Sequence, residues 1–200
     1  MPTPTSSPPP TPPVARDRAA RYDPFAVGLH WLLALGFLAM LVLGSTMTGL
    51  PLSPTRLKLY NWHKWAGVSL LALSLLRVAW RLTHLPPPAP PMPAWQHAAM
   101  RVTHAAFYAL FFAVPLAGWS YSSAAGFPVV LFGVWPLPDF VPADRELAEA
   151  IKPLHATLAY TLAVTIAVHV LAAFKHQFVD RDGLLARMSF ARSRNPRAVR

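Results

Sequence analysis

The chain contains no cysteine in its 200 residues. This absence excludes disulfide bonds, cysteine-ligated iron–sulfur clusters and the covalent C-x-x-C-H attachment of c-type haem. Acidic residues are also scarce: 8 Asp and Glu stand against 18 Lys and Arg, and only 13% of all residues are charged. A net charge of +10 could indicate nucleic-acid binding, but in a chain this apolar it is more typical of the Lys/Arg excess in membrane-protein loops. We therefore expect no nucleic-acid partner.

What the chain does have is hydrophobic residues, at 54%. Four long runs carry no charged side chain: Phe25–Met47, Trp65–Leu76, Val102–Pro138 and Pro153–Phe174. A helix needs about 20 apolar residues to cross a bilayer. We predict an all-α integral membrane protein, a bundle of four transmembrane helices. Their predicted positions are approximately Pro24–Thr48, Tyr60–His84, Trp95–Ser122 and from Leu147 onward.

The segments outside these helices are rich in proline. Residues 1–20 are expected to form a disordered, Pro-rich tail, and no apolar core typical of a secretory signal precedes Phe25. Residues 21–188 form the predicted membrane domain, followed by a basic tail over residues 189–200. The apolar stretch Ala124–Asp139 is interrupted by three prolines, so it is predicted to be a loop on or dipping into the membrane.

Charge predicts the orientation. With four spans both termini share one side, and the segments on that side carry twelve Lys and Arg against five in the two opposite loops. The positive-inside rule then places both termini in the cytoplasm. We call the end of the bundle that holds the termini the inner end, and the opposite end the outer end. Membrane lipid is the expected surrounding, and the bacterial inner membrane the expected location.

Five histidines in the helices divide by height. His155 and His169 are fourteen residues apart, about 40° short of four full turns, so they share one helix face about 21 Å apart along the axis. By the direction of each helix, His63 and His155 are outer, whereas His30, His104 and His169 are inner. Histidine within a membrane is costly and therefore a functional candidate. Two imidazoles facing each other at one height can hold an iron between them, an arrangement typical of electron-transfer haem.

The same fourteen-residue step reaches further residues. From His63 it leads to Arg77 at the inner level, where a cation could pair with haem propionates. From His30 and from His104 it leads to Gly44 and Gly118 at the outer level. Glycine lets a flat macrocycle approach a helix closely, although it also serves ordinary helix packing. Height alone leaves both His30 and His104 as partners of His169.

These residues resemble the prokaryotic cytochrome b561 family of small four-helix membrane proteins. The similarity covers roughly Arg21 to Met188. The matching residues are Tyr22-Asp23 before Leu29-His30-Trp31, His63-Lys64-Trp65-x-Gly67 with Arg77 and Arg81, His104 with Tyr108, and His155…His169 followed by Lys175-His176 and Phe178. The resemblance implies two b-type haems, one held by His30 and His169 and the other by His63 and His155. His104 is then expected beside a propionate or a quinone.

The resemblance also implies an activity, the oxidation of superoxide with transfer of electrons to ubiquinone. Arg56, Lys58 and Lys64 cluster near the outer end of the second helix, and they are predicted to draw a small anionic donor to the outer haem. Anchoring of lipid headgroups is the simpler interpretation of this cluster.

Two further hypotheses remain open at this point. The chain could instead be the haem-bearing anchor subunit of a dehydrogenase or hydrogenase that exchanges electrons with quinone. A histidine-based transporter is disfavoured, because the uncharged runs contain no acidic residue that a proton relay would use.

Overall fold

The computed structural model describes residues 21–89 and 91–190. Four helices within them are long and apolar enough to cross a membrane, which confirms the predicted all-α four-helix bundle. The helices are α1 (Pro24–Thr48), α2 (Pro54–Thr83), α3 (Ala94–Ala124) and α4 (Arg145–Lys175). A two-stranded antiparallel sheet of β1 (Val130–Leu131) and β2 (Trp135–Pro136) separates α3 from α4. The predicted tail over residues 1–20 and the last ten residues of the basic tail lie outside the described residues.

Side-chain caps mark the beginnings of α1, α2 and α4, where Asp23, Ser53 and Asp144 accept backbone hydrogen bonds. Asp23 Oδ1 accepts a hydrogen bond from the Ala26 backbone N–H at 2.9 Å, and Pro24 occupies the first helical position. Ser53 and Pro54 repeat this arrangement at the start of α2, where Ser53 Oγ accepts from the Arg56 N–H. The helix therefore begins six residues before Tyr60, the start predicted from the sequence. A Ser-Pro pair is as typical of a helix beginning as of a chain turn.

The Asp23 cap is also linked to α2. Its second carboxylate oxygen accepts a hydrogen bond from the Trp80 indole at 3.2 Å. Partial burial acts to raise the pKa of Asp23, but the hydrogen bonds from Ala26 and Trp80 outweigh it and leave the pKa below its usual value. The ionised carboxylate therefore stabilises both the start of α1 and its contact with the last turn of α2.

The helices form a ring in which α1 packs on α2, α2 on α3, and α3 on α4. The contact between α3 and α4 is the most extensive, whereas α4 meets α1 only sparsely. Large apolar side chains such as Leu35, Tyr160 and Val164 lie on the outside of the ring and are 63–72% exposed. Such a surface fits lipid rather than water, in agreement with the hydropathy of the helices.

A layer of four apolar residues, one from each helix, occupies the middle of the bundle. Phe37, Leu70, Phe111 and Leu162 each lie seven residues after a histidine of the same helix. The rings of Phe37 and Phe111 stack with centroids 4.4 Å apart and planes 7° apart. Phe37, Leu70 and Leu162 are at most 6% exposed. This central layer therefore separates the outer level of the bundle from the inner level by close-packed apolar side chains.

The C-terminal segment folds back against the inner end. A π-helical turn (His176–Asp180) and a 3-10 turn (Leu185–Met188) follow α4. The Trp31 indole donates to the Met188 carbonyl at 2.9 Å, and the Arg187 guanidinium donates to the Pro88 carbonyl at 2.7 Å. These contacts hold the segment under α1 and the proline-rich connection between α2 and α3.

Candidate functional site

Two histidines on opposite helices face each other at the outer level. His63 of α2 and His155 of α4 have ring centroids 6.2 Å apart, with planes 87° apart. Both side chains are partly buried. The two rings therefore approach each other from opposite helices without stacking.

The ring of His155 is oriented by its neighbours on α3. Its Nδ1 lies 3.0 Å from the Val114 carbonyl, so Nδ1–H donates and Nε2 keeps its lone pair. Gly118 flanks the same ring: a Cβ at this position would lie 2.9 Å from the His155 Cε1. A backbone carbonyl that receives the second N–H is the usual support of a metal-ligating histidine. His155 is therefore held as a neutral imidazole whose Nε2 lone pair is available to a metal.

His63 is packed in a similar way but is not satisfied. Its Nδ1 is buried and has no hydrogen-bond partner among the described residues. A Cβ at Gly44 of α1 would lie 3.3 Å from the His63 Cε1, so Gly44 provides the space that the ring occupies. An unsatisfied buried polar atom costs about 1–3 kcal/mol, and such atoms are uncommon in native structures. The described residues therefore leave His63 Nδ1 without the hydrogen-bond partner that they supply to His155 Nδ1.

The inner level contains three histidines rather than two. The ring of His169 on α4 lies 6.3 Å from that of His30 on α1 and 6.0 Å from that of His104 on α3. The Phe107 ring lies perpendicular to that of His169, with ring centroids 5.3 Å apart. Distance alone therefore leaves His30 and His104 as alternative partners of His169.

The spacing of both pairs fits an iron held between two imidazoles. If a metal were bonded to one nitrogen of each ring at about 2 Å, and each centroid lay about 1.1 Å behind its nitrogen, the centroids would be about 6.2 Å apart. The measured separations are 6.2 Å for His63 and His155 and 6.3 Å for His30 and His169. The donor set also fits, because paired imidazoles in an apolar bundle are ligands of electron-transfer haem.

Arg77 lies beside the inner histidines. One of its terminal nitrogens is 3.2 Å from His30 Nδ1. Arginine has no acceptor, so the guanidinium donates and His30 Nδ1 accepts in this contact. The Arg77 side chain is partly buried, and no carboxylate among the described residues pairs with it, so this position favours an anionic group.

The three cations predicted at the outer end have different surroundings. The Lys64 ammonium bonds to the backbone carbonyls of Phe127 and Pro128, at 3.4 and 3.2 Å. Arg56 lies over the Tyr60 ring, 5.5 Å from its centroid. Lys58 is exposed. Lys64 thus has a structural contact that the sequence did not suggest, and the electrostatic role of the cluster stays a prediction.

Lys64 binds a segment that we call the outer hairpin, residues 127–137, which contains β1 and β2. The Trp65 indole donates to the Val130 carbonyl at 2.6 Å, and its ring contacts Phe132. Val129 of the hairpin is 1% exposed. Gly133 makes the turn with φ +75°, a conformation that glycine adopts without strain. The predicted irregular loop is therefore a small hairpin tied to α2 within two residues of His63.

His176 belongs to a separate polar cluster on the π-helical turn. Its Nδ1 lies 2.6 Å from an Asp182 oxygen and 3.2 Å from an Asp180 oxygen. Lys175 pairs with the same Asp180 at 2.5 Å. These contacts stabilise the turn after α4 and already satisfy both carboxylates.

The supports of the histidines were not apparent from the sequence. The Val114 carbonyl, the stacked pair of Phe37 and Phe111, and the outer hairpin all depend on contacts between helices. Only the glycines gave a signal in advance, because Gly44 and Gly118 stand fourteen residues from His30 and His104. The structure places these glycines against the rings of His63 and His155.

Comparison with known proteins gives one consistent family. The family described as prokaryotic cytochrome b561 matches the chain over residues 21–191. The chain is 33% identical over 172 residues to cytochrome b561 homolog 2 of Escherichia coli (strain K12), covering 84% of the chain and 90% of that protein. It is 28% identical over 173 residues to "Probable superoxide oxidase CybB" of Yersinia pestis, covering 84% of the chain and 95% of that protein.

Proposed function

The chain belongs to the prokaryotic cytochrome b561 family, and we propose that it carries electrons across the membrane between two b-type haems, one at each histidine level. The family consists of multi-pass proteins of the bacterial inner membrane that transfer electrons through haem b. The observation that carries the proposal is that His155 and His169, on one face of α4, each face a histidine of another helix. The ring separations of 6.2 and 6.3 Å would each suit an iron held by both histidines of the pair.

At the outer level, His63 and His155 would hold the haem. The Val114 carbonyl holds His155 with Nε2 available, and Gly44 and Gly118 leave room for the two rings. Haem bound in this way supplies one-electron redox chemistry, and two histidine ligands are typical of electron transfer. The protein contributes the ligands, their fixed orientation and an apolar environment.

At the inner level, we propose His30 and His169 as the ligands. His30 is preferred to His104 because α3 packs closely along α4, whereas α1 and α4 meet only sparsely and leave space for a flat macrocycle. His104 then lies beside His169, where it can hydrogen-bond a propionate or a quinone. Ligation through Nε2 places the remaining proton of His30 on Nδ1, which releases Arg77 to bind a carboxylate.

For the reaction, we propose that two superoxide anions are each oxidised to dioxygen at the outer end, and that ubiquinone takes up the two electrons and two protons to form ubiquinol. The printed name of the Yersinia pestis relative supports superoxide as the donor. The exposed Lys58 and the neighbouring Arg56 supply positive charge at that end. We further propose that both termini lie in the cytoplasm, so that the outer end faces the periplasm.

The test of the cofactor assignment is a reduced-minus-oxidised visible spectrum with haem quantification. We expect two b haems per chain in the wild type and one in each of His155→Ala and His169→Ala. His97→Ala is the matched control, since His97 is exposed in the first turn of α3 and should leave both haems in place. One haem in the wild type, or full content in both ligand variants, would contradict the assignment.

The test of the substrate is separate. Purified wild-type protein should consume superoxide and reduce a soluble ubiquinone analogue in the ratio of two to one, and His155→Ala should lose this activity. A protein with two haems that does not react with superoxide would retain the cofactor assignment and refute the substrate. The position of the termini can be checked by labelling single cysteines introduced into the cysteine-free chain.

A further inference from the structure

A cavity of about 370 Å³ opens at the inner end of the bundle. The beginning of α1, the last turns of α2 and the following prolines form most of its wall, and Tyr108 of α3 and Met188 of the C-terminal segment complete it. The cavity therefore lies at the level where the helices end, which is the level of lipid headgroups for a bundle that spans a membrane.

The lining of this cavity is positively charged. Arg21, Arg77 and Arg81 line it, and Asp23 is the one carboxylate among its lining residues, so three positive charges against one negative charge give a formal excess of +2. Both oxygens of Asp23 already accept hydrogen bonds, from the Ala26 N–H and from the Trp80 indole. An excess of this size at one opening favours an anionic ligand.

The arginines divide into two groups by depth. Arg77 contacts His30 and belongs to the inner histidine level. Arg81 lies one helical turn nearer the end of α2, and it is exposed at the rim of the cavity together with Arg21. Within residues 21–89 and 91–190 the Arg81 guanidinium has no hydrogen bond or ion pair, and like charges one turn apart repel each other. An anion bound at the rim, outside the haem site, would therefore stabilise the charge of Arg81.

Apolar side chains at the end of α2 and the start of α1, the segments that form the cavity wall, are exposed. Leu82 and Leu85, which flank the end of α2, are 80% and 93% exposed, and Phe25 at the start of α1 is 43% exposed. Cationic side chains next to exposed apolar ones match a molecule with an anionic head and hydrocarbon chains. A free inorganic anion would use the arginines but would gain nothing from these three side chains.

We propose that the rim of this cavity binds the phosphate group of an anionic phospholipid, with Arg81 as its principal ligand. The acyl chains run along Leu82 and Phe25 on the outside of α1 and α2. Guanidinium groups suit this role, since they bind phosphate oxygens through two parallel hydrogen bonds. The site does not depend on the proposed electron transfer.

The experiment uses the full chain in its haem-loaded form, delipidated in a neutral detergent and titrated with phosphatidylglycerol while bound lipid is counted by native mass spectrometry. Phosphatidylcholine and inorganic phosphate are titrated in parallel. The variants are Arg81→Gln and the matched control Arg101→Gln, an exposed arginine of α3 that does not line the cavity. Haem content is measured for every sample.

We expect one phosphatidylglycerol bound more tightly than phosphatidylcholine by the wild type and by Arg101→Gln. In Arg81→Gln, the affinity for phosphatidylglycerol should fall roughly tenfold, the effect of losing one charge-assisted contact. The variant should keep its haem. Equal affinity in wild type and Arg81→Gln, or no preference for the anionic lipid, would overturn the proposal. The site would instead bind free phosphate if millimolar phosphate displaces the lipid and the protein does not prefer phosphatidylglycerol to phosphatidylcholine. A loss of haem in Arg81→Gln would assign the rim to the haem instead.

Discussion

Replacing Gly118 by alanine tests whether the outer pair of histidines, His63 and His155, depends on the close approach of α3 to the His155 ring. The new Cβ would lie 2.9 Å from His155 Cε1 and 3.2 Å from Nδ1, whereas ordinary contacts begin near 3.4 Å. The ring must therefore retreat by about 0.5 Å, which stretches its 3.0 Å hydrogen bond to Val114 beyond the range of a good bond. Since alanine favours the helix by about 1 kcal/mol over glycine, the bundle itself should stay folded.

The expected result is a selective loss at the outer level. Loss of the hydrogen-bond partner of a ligating histidine typically lowers metal affinity by 10–100-fold. Titration of the haem-free protein with haem, followed by visible spectra and potentiometry, should show one site weakened by this factor and the other unchanged. The inner site, which has no contact with Gly118, serves as the internal reference.

Gly28→Ala is the external control, because a Cβ at Gly28 of α1 would have no heavy atom within 4 Å. This variant should bind haem as the wild type does. If Gly118→Ala keeps two sites with wild-type affinities and potentials, then the contact between Gly118 and His155 does not hold the ring in its ligating position. The reasoning from Cβ distances would then be refuted.

Three further predictions concern the central layer, the outer hairpin and the α1 cap. Phe111→Ala should destabilise the protein by about 3 kcal/mol, because Phe37 loses its stacked partner and a cavity remains. Thermal unfolding in detergent measures this loss of stability. An unchanged unfolding midpoint would contradict a stabilising contact between Phe37 and Phe111. Lys64→Met should speed hydrogen exchange or proteolysis within the outer hairpin, whereas Lys58→Met should not; equal rates would show that the bonds of Lys64 to the hairpin carbonyls are not stabilising. Asp23→Ala should cost about 1 kcal/mol at neutral pH. Because the pKa of Asp23 is lowered in the folded state, the ionised cap stabilises fully above the unfolded pKa and is lost as pH falls through the folded pKa, so the difference from the wild type should narrow below about pH 4. A difference that does not vary with pH in unfolding measurements would exclude the charge as its source.

Helix positions were largely predictable because they follow from local chemistry. The run from Pro24 to Thr48 is apolar, begins with an Asp-Pro cap and matches α1 as observed. The predicted start of α2 at Tyr60 was wrong, because a Ser-Pro pair such as Ser53-Pro54 can end one helix or begin the next. Only the contacts of the following turn decide between these possibilities, and here the Ser53 hydroxyl caps α2.

Partners between helices were less predictable. Height placed His30 and His104 at the level of His169 but could not select between them, because height says nothing about which helices are neighbours. The close contact of α3 with α4 and the sparse contact of α1 with α4 appear only when the bundle is assembled. The outer hairpin was also missed as a folded unit, because its proline-interrupted sequence lacks the alternation by which strands are recognised.

The sequence by itself determined that this is a four-helix membrane protein with histidines at two levels. Helical periodicity and the length needed to cross a bilayer are properties of each segment alone. Tertiary structure decided which rings face each other, that the Val114 carbonyl orients His155, and that arginines from two segments share one cavity. These features depend on how the helices pack, and side chains far apart in the chain meet only when the bundle forms.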